Sequence, residues 1–269
     1  MDIEIDSLSF TYPSGVSALR KVSLTIKAGE VVALIGQNGA GKTTLVKHLN
    51  GLLQPSLGSV RVGDWDTRER SVAQLAARVG YVFQNPDEQL FQQTVLIEVM
   101  FGPCNLGWNA HHVRVQAEAA LRLVGLSEAG GRHPYDLSLG QRKRVALASV
   151  LAMDTPVIVL DEPTTGQDCA GAELIGRIVD ELRQRGKTVI AITHDIDFCA
   201  EHFARVVVMA AGRVVLDGPS REVLSQEEAL AQADVDPPQL IRLAARLGAV
   251  RRFAPLTVDE FLTEWKQSR

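Results

Sequence analysis

The sequence feature that most constrains the fold of this chain is a run of apolar residues that leads directly into a glycine-rich turn. The run spans residues 31–35, and the segment after it reads Gly-Gln-Asn-Gly-Ala-Gly-Lys-Thr-Thr. β-Branched apolar residues without polar alternation predict a strand that is covered on both faces of a parallel sheet. Leu45 and Leu49 are spaced as on one helix face, and Gly51 is typical of a helix end. The sequence therefore predicts a strand, a tight loop and a helix in direct succession.

The glycine-rich turn matches the P-loop pattern of phosphate-binding loops. In this pattern, loop N–H groups surround the phosphates, the lysine reaches the β and γ phosphates, and the hydroxyl holds Mg²⁺. Glycines let the backbone close around an anion, and the following helix directs its positive end at the same charge. The alternative is a structural turn with an incidental surface lysine. The candidate nucleotide-binding residues of this loop are Gly36, Gln37, Asn38, Gly39, Ala40, Gly41, Lys42, Thr43 and Thr44.

Composition limits the class of protein without identifying it. The 269 residues, 46% hydrophobic and 22% charged, are typical of one large globular domain or a domain with appendages. The net charge of -4 is spread along the chain, so nucleic acid is not expected as a partner. Three widely separated cysteines predict neither a disulfide framework nor a zinc site and fit a reducing cytoplasm. No secretory signal is recognised, and no segment approaches the roughly 20 apolar residues that cross a bilayer.

The first half of the chain changes from strand patterns to helical ones. Alternating apolar residues at 3–12 and 22–26, separated by Pro13-Ser14-Gly15, predict an antiparallel hairpin before the P-loop. A short strand at 59–62, a helix at 72–79 and a strand at 81–83 are predicted after it, and the last of these precedes Gln84. We expect residues from about 88 to 153 to be mostly helical.

Strand patterns return in the second half. Apolar runs at 157–160 and 189–193, with a helical pattern between them, predict a parallel sheet whose ligand site lies at the carboxyl ends of its strands. Asp161, Glu162 and His194 directly follow these runs. Further on we expect a hairpin at 206–216, a helix at 221–230, and a helix that starts with Asp236 as its N-cap and stops at Gly248.

These positions support the hydrolysis of a nucleoside triphosphate. Thr43 and Asp161 form a plausible Mg²⁺ pair, and Glu162 is placed to act as general base on the attacking water. Gln84 could reach the metal or the water, and His194 the γ-phosphate or the same water. Either residue alone would more often be structural, but their position at the same sheet edge favours a role in the site. Tyr12 either stacks on adenine or continues the buried strand face. The basic run 142–144 is either a phosphate site or, as we expect, a solvated helix start.

The segment Leu-Ser-Leu-Gly-Gln at 137–141, with the basic and apolar residues 142–148 after it, resembles the signature of ATP-binding cassette (ABC) ATPases. The resemblance covers nearly the whole chain. It implies an α/β P-loop NTPase (RecA-like) fold with a parallel-sheet core, an N-terminal antiparallel β subdomain, an inserted α-helical subdomain and a small C-terminal helical appendage. It places the ATPase domain at 1–225, the helical subdomain at about 88–153 and the extension at 226–269.

The same resemblance assigns roles to residues. Gln84 corresponds to the Q-loop glutamine, which reaches the metal or water, residues 165–168 to the D-loop, and His194 to the switch histidine. Tyr12 corresponds to the aromatic that stacks on adenine. The resemblance also implies a dimer, homomeric or heteromeric, that encloses two ATP molecules with Mg²⁺. In such a dimer the signature residues of one chain would cap the γ-phosphate held by its partner, and here these are Ser138, Gly140 and Gln141.

Residues 83–91 and 101–107 look like the ATPase components of energy-coupling factor transporters, which take up vitamins and cobalt or nickel ions. This implies a transmembrane coupling subunit, a substrate-binding membrane subunit, and a peripheral position at the cytoplasmic face of the cell membrane. Gln89, Leu90 and Phe91 are docking candidates, unless Leu90 and Phe91 belong to the helical core. Leu139 and Gln167 depart from the family pattern, which hints at one member of an unequal pair.

Two other functions compete with transport. A soluble cassette protein could use ATP-driven dimerisation as a regulatory or assembly clamp, and a generic nucleotide kinase would need a second substrate site that the sequence does not offer.

Overall fold

Two β-sheets organise the fold. The structure, a computed structural model, describes residues 1–247 and 254–267. The strands are β1 (Ile3–Thr11), β2 (Ser17–Ile26), β3 (Val31–Ile35), β4 (Leu57–Val62), β5 (Trp65–Asp66), β6 (Val79–Val82), β7 (Val157–Asp161), β8 (Thr188–Ile192), β9 (Arg205–Ala210) and β10 (Arg213–Pro219).

The helices surround the larger sheet and fill the interval between β6 and β7. They are α1 (Lys42–Lys47), α2 (Val72–Ala76), α3 (Val95–Asn105), α4 (Ala110–Leu123), α5 (Leu139–Leu151), α6 (Cys169–Gln184), α7 (Ile196–His202), α8 (Ser220–Leu224), α9 (Glu227–Gln232), α10 (Gln239–Arg246) and α11 (Val258–Gln267).

The larger sheet has the strand order β10-β9-β3-β8-β7-β6. Its strands from β9 to β6 pair in parallel, and β10 pairs antiparallel with β9 at one edge. Every residue of β3, β7 and β8 is buried, as uninterrupted apolar runs require when both faces are covered. The predicted parallel core is confirmed, and the carboxyl ends of β3, β6, β7 and β8 meet at one edge.

The smaller sheet is antiparallel and has the order β2-β1-β4-β5. The predicted hairpin is formed by β1 and β2, with Ile3 opposite Ile26. The buried face of this sheet packs with Val32 and Leu34 of β3 and with Leu45 of α1 in one apolar cluster. This cluster covers one face of the parallel sheet and seats the loop between β3 and α1.

The other face of the parallel sheet carries the second apolar cluster. Here α3, α4 and α5 pack together, with Val99, Leu121 and Val145 fully or almost fully buried, and the cluster continues to Ala33 and Val206 of the sheet. The helical interval predicted from the sequence is therefore packed onto the core. Together the two sheets and these helices confirm the predicted fold class.

Several predicted boundaries differ from the observed ones. The first helix ends at Lys47, and a turn continues to Gly51, whose φ is +74°. Residues 221–230 form two short helices, α8 and α9, and Val79 begins β6 instead of ending a helix. No helix among the described residues is long and apolar enough to cross a membrane.

Asp236 is not the N-cap of α10, contrary to our prediction. Pro238 occupies that position in an extended conformation, and consecutive prolines keep the chain before the helix extended. The Asp197 carboxylate of α7 accepts the Gln239 N–H instead, at 2.9 Å. The predicted stop at Gly248 lies outside the described residues.

Candidate functional site

The loop between β3 and α1 has a backbone that requires glycine. Gly36 has φ +139°, and a Cβ there would lie 2.1 Å from the Met209 carbonyl oxygen. At Gly41, with φ +101°, a Cβ would lie 2.6 Å from the Ala18 carbonyl oxygen. Any side chain at either position would collide with backbone, so the glycine spacing follows from how closely the loop packs on its neighbours.

Lys42 is held inside this loop. Its Nζ donates hydrogen bonds to the carbonyl oxygens of Gly36 and Gln37, at 2.5 and 3.0 Å, and the residue is only 7% exposed. Burial lowers the pKa of the Lys42 ammonium, and the carboxylates of Glu162 and Asp161 oppose that shift. The buried ammonium gives the loop a cation that a phosphate group can neutralise.

An open cleft of about 270 Å³ lies in front of the loop. Tyr12, Gln84, Asp161 and Glu162 line it together with residues 38–44. A second cleft of about 700 Å³ shares Asn38, Gln84 and Glu162 with the first and adds His194. The structure therefore brings together, at one sheet edge, the candidates that the sequence places after β3, β6, β7 and β8.

Tyr12 stands at the side of the first cleft. It is half-buried, its hydroxyl lies 3.0 Å from Thr44 Oγ1, and its ring meets the Phe10 ring edge to face at 4.8 Å. Both interpretations of this residue therefore have contacts to support them: the ring lines the cleft and also packs on the strand face.

Asp161 ends β7 in a buried position. One carboxylate oxygen, Oδ2, accepts a hydrogen bond of 2.7 Å from the Tyr81 hydroxyl, and among the described residues Oδ1 has no hydrogen-bond partner. Burial raises the pKa of the Asp161 carboxyl, and the hydroxyls of Tyr81 and Thr43 oppose that shift. A buried carboxylate oxygen without a partner, in a cleft that also contains Thr43 and Gln84, fits a Mg²⁺ ligand set, because Mg²⁺ prefers oxygen ligands.

Glu162 has an unusual backbone and a fixed side chain. Its φ is +53°, uncommon outside glycine, and its N–H donates to the Ile192 carbonyl at 2.9 Å. The carboxylate Oε2 lies 2.7 Å from Nδ1 of His194, whose side chain is 69% exposed. The glutamate is thus buried at the cleft floor, while the histidine that contacts it stays accessible.

The basic run at the start of α5 packs against the protein, contrary to our prediction of a solvated helix start. Lys143 is 8% exposed, and its Nζ donates to the carbonyl oxygen of Glu162 at 3.0 Å. Arg142 forms an ion pair with Asp87 at 3.0 Å, and Arg144 donates to the Val124 carbonyl. Charge alone could not reveal this, because the run looks polar while the helix turns Lys143 inward.

The signature turn lies outside the clefts of its own chain. Ser138 caps α5 by accepting from the Gln141 N–H, and the Gln141 side chain accepts from the Ser138 N–H. The D-loop residue Gln167 donates from Nε2 to the Gly140 carbonyl at 3.0 Å, and Leu139 is 45% exposed. None of these residues lines the two clefts described above. The turn is therefore held by its own hydrogen bonds and lines neither cleft beside its own P-loop.

The residues after Gln84 separate into core and surface. Leu90 is 3% exposed and belongs to the core, and half-buried Gln89 donates from its amide to Ala146 and Ser149. Phe91 is 61% exposed and contacts Phe101 edge to face at 4.8 Å. Buried Glu98 accepts the N–H groups of residues 91 and 92, both at 2.8 Å. Sequence patterns missed Glu98, since an acidic residue inside an amphipathic helix looks exposed.

Comparison with known proteins identifies the class of this chain. The family model for ABC transporters matches residues 19–165, more than half of the chain. The chain belongs to the ABC transporter family. It is 38% identical over 265 residues to the energy-coupling factor transporter ATP-binding protein EcfA of Methanosphaera stadtmanae, covering 96% of this chain and 95% of the relative. The chain spans only 40% and 42% of two longer relatives, from Methanosarcina acetivorans and Methanosarcina mazei, that are 46% and 44% identical.

Solved structures agree with this assignment. The cbiO1 protein of Clostridium perfringens, part of the ABC transporter complex cbiONQ, superposes with a TM-score of 0.77 at 35% identity, covering 91% of this chain and 98% of that one. The dimeric structure of an ATP-binding cassette in a post-hydrolysis state, bound to ADP and Pi, gives 0.75 at 29% identity and covers 81% of this chain and 99% of that one.

Proposed function

We propose that this chain is an ATP-hydrolysing subunit that powers uptake of a vitamin or a transition-metal ion through an energy-coupling factor type membrane transporter. The observation that carries the proposal is the Glu162–His194 contact of 2.7 Å in clefts that adjoin the P-loop. A carboxylate held beside a phosphate-binding loop is what water activation in phosphoryl transfer requires.

The candidate residues that line the clefts then have these roles. The loop amides of residues 36–44 and the Lys42 ammonium bind the phosphates, and Tyr12 stacks on the adenine. Thr43, Asp161 and Gln84 hold Mg²⁺, which neutralises phosphate charge when it is bound. Glu162 acts as general base on the attacking water, and His194 binds the γ-phosphate or the same water.

The proposal includes a second ATPase subunit. Ser138, Gly140 and Gln141 are ordered but lie outside the clefts of their own chain, which supports a role toward nucleotide held by a partner. The similarity to a dimeric cassette bound to ADP and Pi supports the same arrangement. Either a homodimer or a heterodimer around two ATP molecules satisfies it.

The proposal also includes membrane subunits, which would dock on an exposed apolar surface of this chain. Phe91, Phe101 and Ile97 are 61%, 43% and 49% exposed on the helical part, where a coupling helix of a membrane subunit could insert. Relatives named as transporter ATP-binding proteins support this use. The chain would then lie at the cytoplasmic face, with an ATPase domain at 1–225, a helical subdomain at about 88–153 and an extension at 226–269.

The catalytic assignment is tested by Glu162→Gln. We expect ATP hydrolysis by the purified complex to fall by about 10²- to 10⁴-fold, the usual contribution of a general base, while MgATP stays bound. Glu69→Gln, at an exposed residue of the short turn of helix after β5, should leave the rate unchanged. Equal hydrolysis by wild type and Glu162→Gln would refute the role of Glu162.

The transport assignment is tested by co-purification from membranes. A hydrophobic membrane subunit should purify with the wild-type chain, and Phe91→Ser should reduce its yield several-fold. Val115→Ser, which removes another exposed apolar residue of the helical part, serves as the matched control. Persistent absence of any membrane subunit, together with ATP-driven dimerisation, would favour the soluble clamp instead.

A further inference from the structure

We propose that Tyr81 is a positioning residue for the metal site: its hydroxyl fixes the Asp161 carboxylate so that Oδ1 faces the cleft as a ligand. This inference rests on the proposed function, because it assumes that Asp161 binds Mg²⁺ in the ATPase. Tyr81 itself touches neither nucleotide nor metal in this arrangement, and it acts through the carboxylate.

The sheet brings the two residues together. β6 and β7 are parallel neighbours, and Tyr81 is in register with Val159. Side chains two residues apart on a strand share a face, so Asp161 lies on the same face as Val159, two residues nearer the carboxyl end of β7. The Tyr81 hydroxyl extends toward that end of the strand and donates to Asp161 Oδ2 at 2.7 Å.

Both partners are held tightly. Tyr81 and Asp161 are 7% and 3% exposed, and the Phe83 ring contacts the Tyr81 ring edge to face at 4.7 Å. A buried tyrosine ring that packs against another ring has little freedom to change its orientation, so its hydroxyl is a fixed hydrogen-bond donor. The carboxylate that accepts from it therefore has one preferred orientation.

The two carboxylate oxygens of Asp161 have different surroundings. Oδ2 is satisfied by Tyr81, while buried Oδ1 makes no hydrogen bond of ordinary geometry among the described residues, and the carboxylate has the Thr43 hydroxyl, the proposed second ligand, nearby. A buried acceptor without a partner is costly and needs an explanation such as an ion. Partners that orient a ligating carboxylate tune metal affinity, and their loss typically weakens it by about 10- to 100-fold.

The experiment compares Tyr81→Phe with wild type in binding of Mn²⁺ to the ADP complex, followed by electron paramagnetic resonance. We expect the variant to bind Mn²⁺ roughly 10- to 100-fold more weakly, while its affinity for ADP in EDTA is unchanged. Tyr135→Phe removes another tyrosine hydroxyl, one that donates to the Leu90 carbonyl at 3.3 Å and lines neither cleft, and should match wild type.

The outcomes distinguish a failure of this inference from a failure of the proposed function. Equal Mn²⁺ affinity in Tyr81→Phe and wild type would overturn the role of Tyr81 while leaving the metal site intact. A wild-type ADP complex that binds no Mn²⁺ would instead refute the proposed metal site and, with it, the ATPase assignment of Asp161.

A second measurement needs no change at Tyr81. The chain contains three tyrosines, so the ¹⁹F signals of protein labelled with 3-fluorotyrosine come from three sites, and Tyr12→Phe and Tyr135→Phe identify the Tyr81 resonance by elimination. Adding Mg²⁺ to the ADP complex should shift the Tyr81 resonance and leave that of Tyr135 in place. A Tyr81 resonance that does not move when Mg²⁺ binds would contradict the proposal.

Discussion

Three buried ionisable residues around the nucleotide clefts share one electrostatic property. Burial lowers the pKa of Lys42 and of Lys143 and raises the pKa of Asp161, so in each case the surroundings disfavour the charged form. Such an arrangement costs folding free energy, because a charge must be desolvated to keep the site in place. It is the pattern expected where ligand charges, and not solvent, complete the electrostatics.

This cost predicts a pH dependence for Asp161. Below its ordinary pKa of 3.8 the carboxyl is protonated in both folded and unfolded chains. Between 3.8 and the raised folded pKa, the folded chain retains a proton that the unfolded chain has lost. The free energy of unfolding therefore falls as pH rises through this interval, by about 1.4 kcal/mol per pH unit, and is constant above it.

The measurement is urea unfolding in EDTA over a series of pH values that starts below 3.8, the ordinary pKa of the carboxyl. The free energy of unfolding of wild type relative to Asp161→Asn should decrease across the interval, because only the wild type titrates at this position. Asp136→Asn, which removes an exposed carboxylate, controls for general charge effects. A difference that stays flat or rises with pH would contradict the buried-charge account of Asp161.

The grouping of functional residues at the strand ends could be predicted from the sequence, whereas the side chains that hold these residues in place could not. Lys42, Asp161 and His194 follow apolar runs, so the topology of a parallel sheet already places them at one edge. Tyr81 looks like any aromatic strand residue, and Lys143 looks like part of a solvated basic run. Their roles depend on which neighbour each side chain meets across the fold, and a one-dimensional pattern does not contain that information.

At the scale of elements, the start of α5 is tied to two segments of its own chain. Lys143 joins the helix to the Glu162 carbonyl, and Gln167 joins the D-loop to the Gly140 carbonyl. Leu139 lies against Gly166, since a Cβ added to Gly166 would be 3.2 Å from the Cδ2 atom of Leu139. The two residues that depart from the family pattern, Leu139 and Gln167, therefore take part in the same contact between signature turn and D-loop.

Gln167→Ala should weaken ATP-driven association of the subunits. Losing one hydrogen bond costs about 0.5 to 1.5 kcal/mol, which corresponds to a roughly twofold to tenfold weaker dimer if the signature turn must be ordered to bind the partner's nucleotide. Sedimentation of the Glu162→Gln chain with MgATP, alone and with its partner ATPase, measures the association. Gln184→Ala, at the exposed end of α6, is the control, and an unchanged dimer constant in Gln167→Ala would show that the contact is only structural.

At the scale of the whole molecule, the boundary proposed near residue 225 crosses a shared core. Leu230, Ala233 and Ile241 are 0%, 0% and 1% exposed, and they belong to the same apolar cluster as Ala33 of β3 and Val206 of β9. This packing places the C-terminal segment in the same core as the strand that precedes the P-loop. A change in sequence pattern along the chain therefore does not imply that the segment after it folds independently.

The C-terminal segment also bonds to the P-loop itself, since the Gln37 N–H donates to the Ala233 carbonyl at 3.2 Å. A chain that ends at residue 225 should therefore lose at least about 3 kcal/mol of unfolding free energy, because removing one buried leucine alone costs about 2 to 5 kcal/mol, and should bind ADP more weakly. A chain that ends at residue 247 keeps these contacts and should lose less, since α11 is mostly exposed or half-buried. Urea unfolding and calorimetric ADP titration of both chains test this, and a 1–225 chain as stable as the full one would establish an independent domain.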